Sequence, residues 1–140
     1  MKNKLSRIIL SVVILAIIVT SANAIYVHRY EQEKSNWCWA AAAQMMGHTL
    51  GRNVTQSQIV EYVMGSSLTN FSADIHQSKQ AVDYATLRNS TIVGDVLPFA
   101  SVMNELDDGE PVRMKLLWNG GGGHAVVAAG YNLSNATVTI

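Results

Sequence analysis

Apolar positions along this chain follow a helical rhythm first and a strand rhythm afterwards. Beyond Asn36, the residues Trp39, Ala42, Ala43 and Met46 fall on one helical face, so the spacing predicts a helix lying in the core. Asn36 suits the N-cap position, the alanines are strong helix formers, and Gly47 or Gly51 can end the run. Thr55 and Gln58 have the spacing of a capping box, and Ile59, Tyr62 and Val63 follow on one side of a second helix. A third helix is predicted from Asp74 to Ala85. Pro98 opens a fourth, with Phe99, Val102, Met103 and Leu106 at helical spacing and Gly109 and Pro111 as its stop.

The pattern then shortens. Val112 to Trp118, Ala125 to Tyr131 and Ala136 to Ile140 are brief apolar or alternating segments separated by Gly and Asn, which predicts antiparallel strands. Helices followed by strands imply an α+β domain of two lobes with a cleft between them. The helical lobe covers about 36–88 and the β lobe about 91–140; residues 25–35 are polar and extended.

Residues 1–24 stand apart from this pattern. Lys2, Lys4 and Arg7 form a basic start, Ile8 to Thr20 an apolar stretch, and Ala22-Asn23-Ala24 a small-residue site of the A-x-A kind. That layout predicts a cleaved signal peptide, and hence a secreted protein. The competing reading is an uncleaved anchor, since Ile8 to Val27 carries no charge; only then would the chain contact a membrane. Ten basic residues balance ten acidic ones overall, but Lys2, Lys4 and Arg7 belong to the signal. The mature part is therefore mildly acidic, which excludes a nucleic-acid partner of the electrostatic kind. Its length suits one modest domain, expected to be monomeric.

Composition changes the picture most through the single cysteine, Cys38. Exported proteins use cysteines in pairs, so one unpaired thiol points to reactivity rather than cross-linking. With Asn36 as cap, Cys38 falls at the second helical position, where the helix dipole favours a thiolate. The bland alternative is a buried, inert cysteine. A base could come from His124, which follows Trp118-Asn119 and four glycines and leads into an apolar segment. His28, His48 and His76 are rivals in polar surroundings. The glycine run lacks the Lys-Ser/Thr of a phosphate loop, and no CxxC or HExxH spacing suggests a metal. No cofactor is expected. Gln32, six residues before Cys38, could hold an oxyanion together with the Cys38 backbone N–H. Trp37, Gly122 and Gly123 are candidates for lining the substrate cleft; Trp39 reads as core.

Gln32-x5-Cys38-Trp39 resembles the active-site box of papain-like cysteine proteases. The run Ser35-Asn36-Trp37-Cys38-Trp39-Ala40-Ala41 is similar to a bacterial, C39-like branch best known for effector proteases of plant pathogens. Val54-Thr55-Gln56, Gly109-Glu110-Pro111-Val112 and Gly122-Gly123-His124-Ala125-Val126-Val127 also look like that branch, so the resemblance spans about 32–140. It implies a papain-like fold and endopeptidase activity on a peptide or protein substrate. Cys38 would be the nucleophile, His124 the base and then the acid, and Gln32 part of the oxyanion hole. The Cys38–His124 separation is far shorter than the roughly 130–150 residues of the lysosomal type, as befits the compact branch. The Asp or Asn that completes the triad has no match here and is expected just beyond Ile140, so the chain reads as incomplete. Two alternatives stay open: a related cysteine amidase or transferase, and a catalytically weak or inactive binding module. An immature precursor is a third, but Ile25 to Ser35 is too short for a folded pro-domain.

Overall fold

The computed structural model describes residues 22–140. Its elements are β1 (Ala22–Ala24), α1 (Cys38–Thr49), α2 (Gln56–Met64), α3 (Ile75–Thr86), α4 (Phe99–Asp107), β2 (Val112–Leu117), β3 (Gly123–Ala128), β4 (Gly130–Asn132) and β5 (Thr137–Thr139). Apart from β1, helices precede strands, and the fold is α+β with a papain-like order of halves. The basic start and apolar stretch of the expected signal lie outside the described residues. Its last three residues form β1, antiparallel to β4, a strand that the sequence pattern did not announce.

Local chemistry explains the helix limits. Thr55 with Gln58, and Asp74 with Gln77, make complete capping boxes at the starts of α2 and α3. Each such cap stabilises its helix by roughly 1 kcal/mol. The start of α1 departs from expectation. Trp37 occupies the cap position without a side-chain bond, and Cys38 is the first helical residue rather than the second. Asn36 is not free to cap, because its amide donates to the Asn70 carbonyl at 2.8 Å and its backbone N–H to Asn70 Oδ1 at 3.1 Å. Gly47 does not end α1. It is buried where α1 crosses α3, and a Cβ there would stand 2.7 Å from the Ala85 carbonyl oxygen.

Two apolar clusters share the space. The larger joins Trp37, Trp39, Ala42 and Met46 at α1 to Ile59 and Val60 of α2, Ala81 and Val82 of α3, and Ala125 and Val127 of β3. The smaller packs Val102 and Leu106 of α4 against Ala128 and Tyr131. Strand β3 therefore borders both. The expected single strand from Ala125 to Tyr131 is two strands in two sheets: β3 pairs with β2, while β4 lies between β1 and β5. The change of partner falls at Ala129, whose N–H donates to Thr139 and whose carbonyl accepts from Ile25, each at 2.8 Å. Among the described residues no helix is long and apolar enough to cross a membrane.

Candidate active site

Cys38 is placed by its neighbours. The segment from Thr69 to Phe71 docks against the start of α1 through the residues flanking the cysteine. Trp37 Nε1 donates to the Thr69 carbonyl at 2.9 Å and Trp39 Nε1 to the Phe71 carbonyl at 3.1 Å. Buried indoles need such acceptors. Together with the Asn36–Asn70 pair, these bonds leave Cys38 half-buried at the helix start. This corrects the reading of Trp37 as a wall of the cleft. It is 1% exposed, with Lys34 Nζ 4.4 Å above its ring, and it serves to hold the backbone before Cys38.

Two cavities meet at the cysteine. The larger, of about 630 Å³, lies between α1, β3 and the residues leading to α1, with Gln32, Cys38, Met45, His124 and Val126 among its walls. The smaller, of about 110 Å³, is bounded by Ser72, Ala73, Lys115, Gly122 and Gly123. Cys38 and His124 line both. Gln32, Cys38 and His124, which are distant in sequence, therefore border one cleft, and Gly122 and Gly123 border its continuation. An extended chain crossing from one cavity to the other would pass over the Cys38–His124 pair.

His124 stands on β3 opposite Leu116 of β2. Its ring stacks on Trp118, with centroids 6.5 Å apart and planes 18° from parallel. Among the described residues no side chain hydrogen-bonds to either ring nitrogen, and Trp118 is the aromatic ring that flanks it. The preceding glycines are needed for the tight return of the chain. Gly121 and Gly122 have φ of +90° and +80°, and a Cβ on Gly123 would collide with the Leu116 carbonyl. The other histidines lie elsewhere. His28 and His48 stack on each other at 5.1 Å, Tyr30 closes that group, and His76 is exposed at the start of α3.

Gln32 is held in a specific way. Buried Gln56 accepts from Glu33 N–H at 2.9 Å and donates to the Glu31 carbonyl at 2.7 Å, pinning the backbone on both sides of Gln32. The Gln32 amide itself donates to the carbonyls of Lys34, at 3.1 Å, and Ser35, at 2.7 Å. An oxyanion-hole role requires one of these bonds to be exchanged for the substrate oxygen. Ile140 also lines the larger cavity. Among the described residues no three His, Cys, Asp or Glu side chains cluster as metal ligands do.

Sequence reasoning named Trp118 and Gln56 without giving either a role, and passed over the segment from Thr69 to Phe71. The indole two residues beyond Leu116 carried a usable signal, since a hairpin through four glycines returns it beside His124. The docking segment carried none, because its contribution is through carbonyl oxygens.

No curated protein and no solved structure matches the chain. A family model, described as the Peptidase_C39-like family, matches residues 24–140. The match takes in Gln32, Cys38 and His124 and nearly all the described fold, so the chain belongs to the Peptidase_C39-like family of cysteine peptidases.

Proposed function

We propose that the protein is a cysteine endopeptidase with Cys38 as nucleophile and His124 as its base. The observation that carries this reading is the meeting of two cavities at those two residues, with Gln32 on the wall of the larger. The Cys38 thiolate attacks a peptide carbonyl carbon, forming an S–C bond and a tetrahedral oxyanion. The Cys38 backbone N–H at the first position of α1, with the Gln32 amide, is suited to receive that oxyanion. Collapse breaks the C–N bond as His124 gives its proton to the leaving amine. Water, deprotonated by His124, then cleaves the thioester, releasing a carboxylate and restoring the thiolate.

Cys38→Ala is expected to lower peptide cleavage by at least about a thousandfold while the fold is retained, in keeping with the loss of any catalytic nucleophile. Retained cleavage would remove Cys38 from the mechanism. A panel containing both peptides and small amides separates an endopeptidase from an amidase or transferase. A chain lengthened past Ile140 with a segment bearing Asp or Asn is expected to cleave faster, because Ile140 already borders the cavity of His124.

A second reading, a binding module without turnover, is favoured by two observations. His124 has no hydrogen-bonded orienter among the described residues, and the Gln32 amide is engaged with local carbonyls. Peptide capture in the cleft without new termini would select it. The reading as an exported protein keeps its basis in residues 1–24 and is tested by fractionating expressing cells.

A further inference from the structure

One cation of the β half has no counterpart in the mechanism above. Arg113 is on β2, opposite Val127, whose side chain packs in the core built on α1. Paired residues of a ladder share a face. Arg113 therefore shares a face with Lys115, which is paired with Ala125 and lines the smaller cavity beside Cys38. Its Nη2 donates to Oγ of buried Ser78 on α3 at 3.2 Å. Its Nε is shut off from solvent and has no partner among the described residues.

A guanidinium in this position costs stability. Removing a charge from water is expensive unless an opposite charge compensates, and a hydroxyl is weak compensation. The two ion pairs among the described residues, Lys79–Asp83 and Arg88–Glu110, involve other groups. Burial pushes the Arg113 guanidinium below its ordinary pKa, while the negative charge of an ionised Cys38 acts in the opposite direction. Other charged or titratable groups around Cys38 are His124 on β3, Lys115 on β2, and Arg29, Tyr30 and Glu31 before α1. On α3, Lys79 and Asp83 pair with each other.

We propose that Arg113 is a fixed counter-charge for the Cys38 thiolate, a positioning residue whose partly buried cation keeps the nucleophile ionised alongside His124. The proposal rests on Cys38 being the nucleophile. It accounts for a partly buried cation with no carboxylate beside it: the anion that compensates it is the reactive group itself. In a partly buried position such a charge acts more strongly than the same charge in water. A guanidinium stays protonated across the physiological range, so the counter-charge it offers the thiolate is constant.

The test is the rate of Cys38 alkylation by iodoacetamide in the full chain, measured about pH 6 and about pH 9.5. Arg113→Met is expected to slow alkylation about tenfold at the lower pH, the equivalent of one unit in thiol acidity, and to leave the upper rate unchanged. Arg113→Lys should keep most of the native rate. Ser78→Asp places a carboxylate on the intact guanidinium and should slow the lower-pH rate as well; if Arg113→Met does not fold, this variant decides. Native-like alkylation at the lower pH in folded Arg113→Met, or in Ser78→Asp where that variant decides, overturns the proposal. Failure of the nucleophile reading looks different. In that case the native thiol reacts like free cysteine at both pH values, His124→Ala changes nothing, and peptide cleavage survives Cys38→Ala; the Arg113 proposal then falls with it.

Discussion

The three tryptophans divide the molecule into two regions with different duties. Trp37 and Trp39, at the start of α1, are 1% and 2% exposed, while Trp118, in the β2–β3 hairpin, is 55% exposed. The first two are hydrogen-bonded into a core that three helices and β3 build together, and they fix the backbone of Cys38. The third covers His124 at the edge of the hairpin, next to an exposed Leu117 and a turn of glycines. In the proposed mechanism the nucleophile is thus carried by the best-packed part of the chain and the base by a more open part. On that reading the division lets a cleft admit substrate at the hairpin while the sulfur of Cys38 stays where the helix puts it. Substitutions in the first region should register as stability, and those in the second as activity.

The largest effect is expected from Trp39→Ala, which empties a fully buried site. Changes of this kind cost about 3–5 kcal/mol, and denaturant titration should show the loss directly. Trp118→Ala sharpens the contrast. Its stability should change by less than about 0.5 kcal/mol, as for surface positions in general. Its kcat should fall about tenfold, because the imidazole loses the ring that flanks it. A Trp118→Ala variant that unfolds, or one that keeps full kcat, would erase the distinction between the two regions.

Much of this was legible in the sequence, for reasons that can be named. Residues whose roles depend on neighbours three or four positions away, such as Thr55 with Gln58 or Ala42 and Met46 with Trp39, write their structure into spacing. Cys38 was singled out as the one cysteine, and Gln32 and His124 because they match a known box; the fold brings the three to one cleft. The start of α1 was misread because Asn36 has two uses for its amide, and a partner thirty-four residues away, Asn70, took it. The split of the strand at Ala129 and the pairing of β1 depend on long-range ladders that no local window contains. Ala22-Asn23-Ala24 serves two readings at once, as a processing site and as a strand. A chain beginning at Ile25 lacks the β1–β4 pairing and the 2.6 Å bond from Asn23 to Asp107.

Smaller effects test the helical region further. Asp74→Ala removes the cap of α3 and should cost roughly 1 kcal/mol with kcat little changed, since Asp74 lines neither cavity beside Cys38. Asp83 offers a pH handle. Its burial raises the carboxyl pKa, but bonds from Lys79 and Ser90 outweigh this and hold it below the ordinary value. A carboxylate with a depressed folded-state pKa stabilises the fold above its unfolded pKa, and that contribution is lost as pH falls through the folded value. Melting temperature should therefore decline below about pH 4 more steeply in the native protein than in Asp83→Asn. Because Asp83 is partly open to solvent, the difference should be small, and parallel acid profiles would show that its bonds add nothing.

The most direct test of the central claim is to trap the acyl-enzyme. The full chain is mixed with an activated peptide ester, quenched in acid, and the acyl group located by peptide mapping. The account predicts one acyl group, on Cys38, formed much more slowly in His124→Ala. Ester turnover with the acyl group on another residue, or undiminished labelling of Cys38 without His124, would contradict it.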